Sequence, residues 1–164
     1  MTAYRGWGQG PFAALMRVAA LLVVLCGALV STAALAADRA LLHISREKGF
    51  GRLILSFPDR LELPAYKIRY ENGVLAVEFE EEIELLLPDV AVTLPELVSV
   101  ARVDPDRRGV RFGLKTASNV NRIEAGERLF IDIMPANWQG LPPSLPASVI
   151  AELADRAKRA ERVA

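Results

Sequence analysis

Between Ala40 and Met134 the apolar residues of this chain recur at every second position, the period of a strand buried on one face, and no helical period interrupts them. Leu53, Leu55 and Phe57 alternate with Arg52, Ile54 and Ser56. Tyr66, Ile68 and Tyr70 alternate with Lys67 and Arg69, and after Glu71-Asn72-Gly73 the pattern resumes in Leu75, Val77 and Phe79. Asn-Gly between two alternating runs marks a hairpin, because both central residues of a type I′ turn need positive φ. Ala65 to Phe79 is therefore expected to be a hairpin.

Further strands are expected at Leu41–Ser45, Val98–Val103, Val110–Thr116, Asn121–Glu124 and Arg128–Met134. Asp104 to Gly109 turns the second of these into the third, with Pro105 fixing φ and Gly109 free to adopt a left-handed conformation. Ala125-Gly126-Glu127 turns the last pair. Ile83 to Leu94 fits either a buried strand or a helical turn, kept short by Pro88 and Pro95. Glu71-Asn72-Gly73 with Leu75-Ala76-Val77-Glu78-Phe79 echoes Glu124-Ala125-Gly126 with Leu129-Phe130-Ile131-Asp132-Ile133, and a strand precedes each pair. The expectation is an all-β domain over 38–134, a small antiparallel β-sandwich with a pseudo-repeat.

The flanks are of other kinds. Residues 1–36 read as an export signal: Arg5 and Arg17 precede the apolar run Val18 to Val30, and Ala34-Leu35-Ala36 fits the small-x-small cleavage rule. The destination is the periplasm, with the membrane met only during export. The alternative is an uncleaved inner-membrane anchor, since Val18 to Ala37 approaches the roughly 20 residues a spanning helix needs. Cys26 is the only cysteine, and Leu25 before it does not suit a lipobox. After cleavage, 164 − 36 = 128 residues remain, with no thiol and with 18 basic against 20 acidic residues. That balance argues against a nucleic-acid binder, and the missing thiol excludes disulfides and cysteine chemistry.

After Met134 the proline-rich stretch 135–146 reads as a linker or strap. Ala147 to Ala164 reads as an amphipathic helix with Ile150, Leu153, Ala154, Ala157 and Ala160 on one stripe, and with Ser144 and Pro146 suiting its start. An alanine-rich stripe needs a close-packed neighbour. The expectation is that a partner, or further chain, supplies it.

Val98-Ser-Val-Ala-Arg-Val-Asp-Pro-Asp-Arg-Arg-Gly-Val-Arg-Phe-Gly-Leu, followed by Val120-Asn-Arg-Ile-Glu-Ala-Gly-Glu-Arg-Leu-Phe-Ile-Asp-Ile, resembles the amidase N-terminal (AMIN) domain of bacterial envelope proteins. Arg111 stands where that family carries an arginine among apolar residues, and Arg128-Leu129-Phe130-Ile131-Asp132-Ile133 matches its closing strand. The likeness spans Gly51 to Met134, about half of the chain. It implies a non-catalytic targeting module that binds peptidoglycan or an envelope protein. The glutamates 78, 80, 81, 82 and 84 depart from the family pattern. The segment from Trp138 onward looks like the lead-in to a helical array of the tetratricopeptide type, which implies the alternative of an interaction or assembly module of a larger exported protein.

The candidate ligand-binding residues are Arg107, Arg108 and Arg111, whose guanidiniums fit carboxylates or phosphates, and Trp138, able to stack on a sugar ring or to cover one end of the sandwich. No catalytic, cofactor or metal site is assigned. His43 stands alone and is expected at the surface, and the glutamates alternate between strand faces. A nucleophile, base and oxyanion constellation cannot be assembled, so the chain is read as not an enzyme, a small cell-wall hydrolase being the remote alternative. Asp132 and Arg111 are expected to pair if neighbouring strands bring them together.

Overall fold

A computed structural model describes residues 37–163. The expected export signal, residues 1–36, lies outside the described residues. Nine strands and two helices follow in the order β1 (Asp38–Arg46), β2 (Gly51–Ser56), β3 (Tyr66–Glu71), β4 (Val74–Phe79), β5 (Ile83–Leu86), α1 (Val90–Thr93), β6 (Val98–Val103), β7 (Gly109–Leu114), β8 (Ser118–Ala125), β9 (Arg128–Pro135) and α2 (Ala147–Glu161). Among the described residues no helix is long and apolar enough to cross a membrane.

The strands form two sheets, one ordered β5-β1-β2-β9-β8 and the other β3-β4-β7-β6. All pairs are antiparallel except β1 and β5, which run parallel with Arg39 opposite Glu84. The strict antiparallel expectation is thereby corrected at one edge. The inward residues of both sheets enclose one hydrophobic core: Leu53, Leu55 and Phe57 with Leu129, Ile131 and Ile133 from the first, Leu75, Val77 and Phe79 with Val110 and Phe112 from the second. Burying each such side chain stabilises the fold by about 1.5–3 kcal/mol. Val90 and Leu94 of the α1 region close one end.

The strand orders correspond. Exchanging β1, β2, β3 and β4 for β6, β7, β8 and β9 turns β1-β2-β9-β8 into β6-β7-β4-β3. Asp132 then falls on Glu78, as the sequence echo has it. What breaks the correspondence is β5, which extends the first sheet and has no counterpart beside β6.

The Asn-Gly hairpin forms between β3 and β4, with φ of 52° at Asn72 and 75° at Gly73. In the turn from β6 to β7, Arg107 and not Gly109 takes the left-handed conformation, at φ 56°. Gly109 has a different reason to be glycine. It opens β7 where a Cβ would stand 2.7 Å from Asp104 Oδ2 and 3.1 Å from the Val77 carbonyl. Both options for 83–94 occur, since β5 is followed by the single turn α1, capped by the Asp89 side chain accepting from the Val92 amide at 3.2 Å.

The chain after β9 lies against the outer face of the first sheet. There Val149 is buried with Ala125 and Phe130, and Ile54, Ile123, Leu145 and Leu153 pack around them. The expected stripe is corrected: Val149 and Leu153, four residues apart, face the sheet, whereas Ile150 is 52% exposed. The neighbour this helix needs is its own sheet, at least for its first half; from Ala154 onward every described residue is exposed. The helix starts at Ala147 as expected, but without a side-chain cap. Pro146 is the N-cap, and it is the carbonyl of Ser144, not its hydroxyl, that is engaged.

Candidate functional site

Strand alternation puts one row of residues across the outer face of each sheet. On the second sheet the row is Arg69, Ala76, Arg111 and Arg102, from β3, β4, β7 and β6. Lys67, Glu78 and Gly109 form the next row, and Val74 and Gly113 lie on the other side. Alanine and glycine at the centre leave the face shallow, with guanidiniums standing around it. Gly113 is held small because a Cβ there would meet Ser99 Oγ at 2.9 Å and Val100 Cγ1 at 3.0 Å.

Charge on this face is partly matched internally. Arg111 Nε donates to both Asp104 oxygens, at 2.8 and 3.1 Å, and its Nη2 lies 3.3 Å from Glu78 Oε1. Arg69 donates to the same Glu78 oxygen. The hydrogen bond from Arg69, with the Arg111 charge adding to it, holds the Glu78 carboxyl below its usual range. Asp104 raises the pKa of Arg111 and Glu78 that of Arg69, so both stay charged. Arg102 is exposed and has no ion pair among the described residues.

The equivalent row on the first sheet is Ile123, Phe130, Ile54 and His43. It is apolar over three strands, and the C-terminal segment sits on it. Beside it, Arg52 and Asp132 form a buried two-pronged ion pair, Nε to Oδ1 at 2.6 Å and Nη2 to Oδ2 at 2.9 Å, with side chains 5% and 0% exposed. Arg52 Nη2 also donates to the Ser144 carbonyl at 2.9 Å, and Asn121 Nδ2 lies 3.4 Å from the Pro143 carbonyl. Phe50 and Phe130 flank the Arg52 guanidinium at 5.3 and 5.6 Å. The strap is thus held through its own main-chain carbonyls. Helix α2 is fixed by Arg128 to Glu152 at 2.9 Å and by Arg156 to Glu127 at 2.7 Å, and these arginines hold both glutamates below their usual pKa range.

The sequence candidates separate in space. Arg107 pairs with Glu82 at 2.5 Å, on the turn between β6 and β7. Arg108 is exposed on the same turn, its amide bound to Asp106. Arg111 is on the outer face, already engaged. Trp138 is elsewhere: it stands edge-on to Phe50 at 5.8 Å, above Gly49, with Nε1 donating to the Leu141 carbonyl at 3.2 Å, and so covers one end. Next to that end an apolar cleft of about 240 Å³ is lined by Phe50, Leu94, Leu97 and Pro135 with Arg46 and Glu96. The expected pairing of Arg111 with Asp132 is overturned, because β7 and β9 belong to different sheets and Asp132 is taken by Arg52. His43 is exposed, as expected. Glu78, Glu81 and Glu82 are each bound by arginine, and among the described residues no group of three His, Cys, Asp or Glu side chains is close enough to hold a metal.

Sequence reasoning missed Arg52, Arg69 and Arg102. A signal for Arg52 existed: a lone aspartate inside Leu129-Phe130-Ile131-Asp132-Ile133-Met134 needs a buried cation. No family profile, curated protein or solved structure matches the chain.

Proposed function

We propose that the chain carries a non-catalytic binding module of the bacterial cell envelope, an AMIN-like sandwich built from a duplicated β-unit, and that the outer face of its second sheet holds peptidoglycan in the periplasm. The export signal at 1–36 gives the compartment. The correspondence between the two strand orders supports the duplicated unit. The observation that carries the binding reading is the row Arg69, Ala76, Arg111 and Arg102, three guanidiniums around a buried alanine on a face that no other described segment covers. Guanidiniums on a rigid sheet suit the carboxylates of stem peptides, and a shallow face suits an extended polymer better than a reaction needing enclosure.

Cosedimentation with purified sacculi tests this. Retention at physiological salt is expected, falling several-fold in the double variant Arg102→Ala/Arg108→Ala, which removes two cations without an ion pair. No retention of the unaltered chain defeats the peptidoglycan reading.

A second reading, an assembly module leading into a helical array, is favoured by the second half of α2, whose residues are all exposed and which touches the sheet only through Arg156 and Glu127 among the ion pairs of the described residues. Deleting residues 147–164 would then abolish capture of an envelope protein and leave sacculus binding intact.

A further inference from the structure

The first sheet has five strands and the second has four, and the difference falls at one place. After β4 the chain returns as β5 to lie parallel along β1, with Ile83 to Leu86 in register with Asp38 to Leu41. After β9, the equivalent of β4, the chain instead crosses toward Phe50 and becomes the strap. The position beside β6 is therefore left without a strand. An open groove of about 440 Å³ lies there, between Leu87–Ala91 and Ser99, Val100 and Ala101 of β6.

We propose that this position accepts a fifth strand from another polypeptide, an extended segment alternating apolar residues with carboxylates. Three observations support it. First, β6 offers main-chain groups: the Asp104 amide donates to the Gly109 carbonyl at 2.8 Å, and in an antiparallel ladder the pair Arg102 and Arg111 is then also bonded, which turns the amides and carbonyls of Ala101 and Val103 away from β7. Second, Val100 lines the groove and is 56% exposed, an apolar contact without a partner. Third, Arg102 gives the charge preference. On β1 the adjoining strand places Glu84 at the register position of Arg39, whose own ion pair is with Asp59, whereas Arg102 of β6 has no acid paired with it among the described residues. The segment Ile83-Glu84-Leu85-Leu86 thus shows the chemistry of the occupant: apolar, acidic, apolar. Affinity in such a mode comes from main-chain hydrogen bonds and selectivity from alternate side chains.

The opposite side of the molecule is bridged by side chains. Tyr66 hydroxyl donates to Glu124, the Ser118 amide donates to the Tyr70 hydroxyl at 3.2 Å, and Arg122 lies over the Tyr66 ring. These contacts tie β3 to β8 across the gap between the sheets.

The test uses a fluorescein-labelled peptide, Glu-Glu-Ile-Glu-Leu-Leu-Leu, titrated into the purified chain. Saturable binding is expected, with new protection of the Ala101 and Val103 amides from hydrogen exchange. Ala101→Pro removes one outward amide and should abolish binding; Arg102→Glu, at an exposed position that leaves the fold alone, should weaken it about five- to tenfold. Absence of saturable binding overturns the proposal. So does binding unchanged by Arg102→Glu, protection appearing on β3, β5 or β8 instead, or a dimer in which β6 is already protected in the chain alone. Sacculus retention by Ala101→Pro should be normal, so failure here and failure of the peptidoglycan reading are distinguishable.

Discussion

The outer faces of the two sheets answer each other position by position and have opposite fates. Asp132 and Glu78 occupy equivalent places, each the one acid of a mostly apolar strand and each held by arginine. Asp132 is wholly buried under the strap and has Arg52 in a two-pronged pair, while Glu78 lies at an open surface and is shared between Arg69 and Arg111. The difference originates one row away. Ile123, Phe130 and Ile54 make a surface on which Val149 and Leu153 can settle, whereas Arg69, Ala76 and Arg111 make one that stays wet. A neighbouring apolar patch, by recruiting a cover, decides whether an ion pair becomes a buried structural device or a solvent-exposed, exchangeable one.

The largest difference is expected at the two acids. Asp132→Ala leaves Arg52 buried without its counter-charge and should cost about 3–5 kcal/mol in urea denaturation. Glu78→Ala should produce a far smaller loss, since water replaces the partner. Equal losses would mean that the cover does not exclude solvent. Next comes the cover itself: Leu153→Ala, half-buried, should cost about 1 kcal/mol, with faster amide exchange confined to α2 and the strap while β2 and β9 stay protected.

Acid should sharpen the contrast further. Glu127 and Glu152 have folded pKa values depressed by Arg156 and Arg128, so their contribution is complete above the ordinary carboxylate value near 4.5 and is lost as pH falls through the lower folded values. The helix should loosen in that window before the core does. Once residues 1–36 are removed, Trp138 is the only tryptophan, and its fluorescence reports the strap directly. The smallest effect is expected from Glu78→Gln, which should leave the urea midpoint almost unchanged yet raise retention on sacculi about twofold by removing the charge that holds Arg69, while Arg111 stays bound to Asp104.

Strands were legible where local chemistry forces them. Asn72-Gly73 admits few conformations other than a tight turn, and the alternation on both sides of it set the faces of β3 and β4. The turn from Asp104 to Gly109 was legible, but not which of its residues takes positive φ, because arginine has no intrinsic preference for that conformation and Arg107 is placed there by the hydrogen bonds of Asp104 and Asp106. The helix stripe was misassigned for a related reason. Ile150 and the alanines form a regular pattern, but the pair that docks was chosen by the shape around Phe130, which lies far away in sequence. Of the candidate site, Arg111 could be seen because it interrupts an apolar run. Arg69 and Arg102 could not, since a charge on the polar side of an alternating strand looks the same whether its face is bare or covered. The strap was invisible as a cover because it is gripped by its carbonyls, which every residue carries.

That grip has a mechanical consequence. A pull on the chain beyond Val163 would load α2 and the strap before any strand, peeling the Arg156, Arg128 and Arg52 contacts one after another as a zipper does. Fully drawn out, residues 137–163 would span roughly 90 Å, well beyond their folded span. The sheets, and whatever is bound to them, would feel the tension only after that extra length is spent.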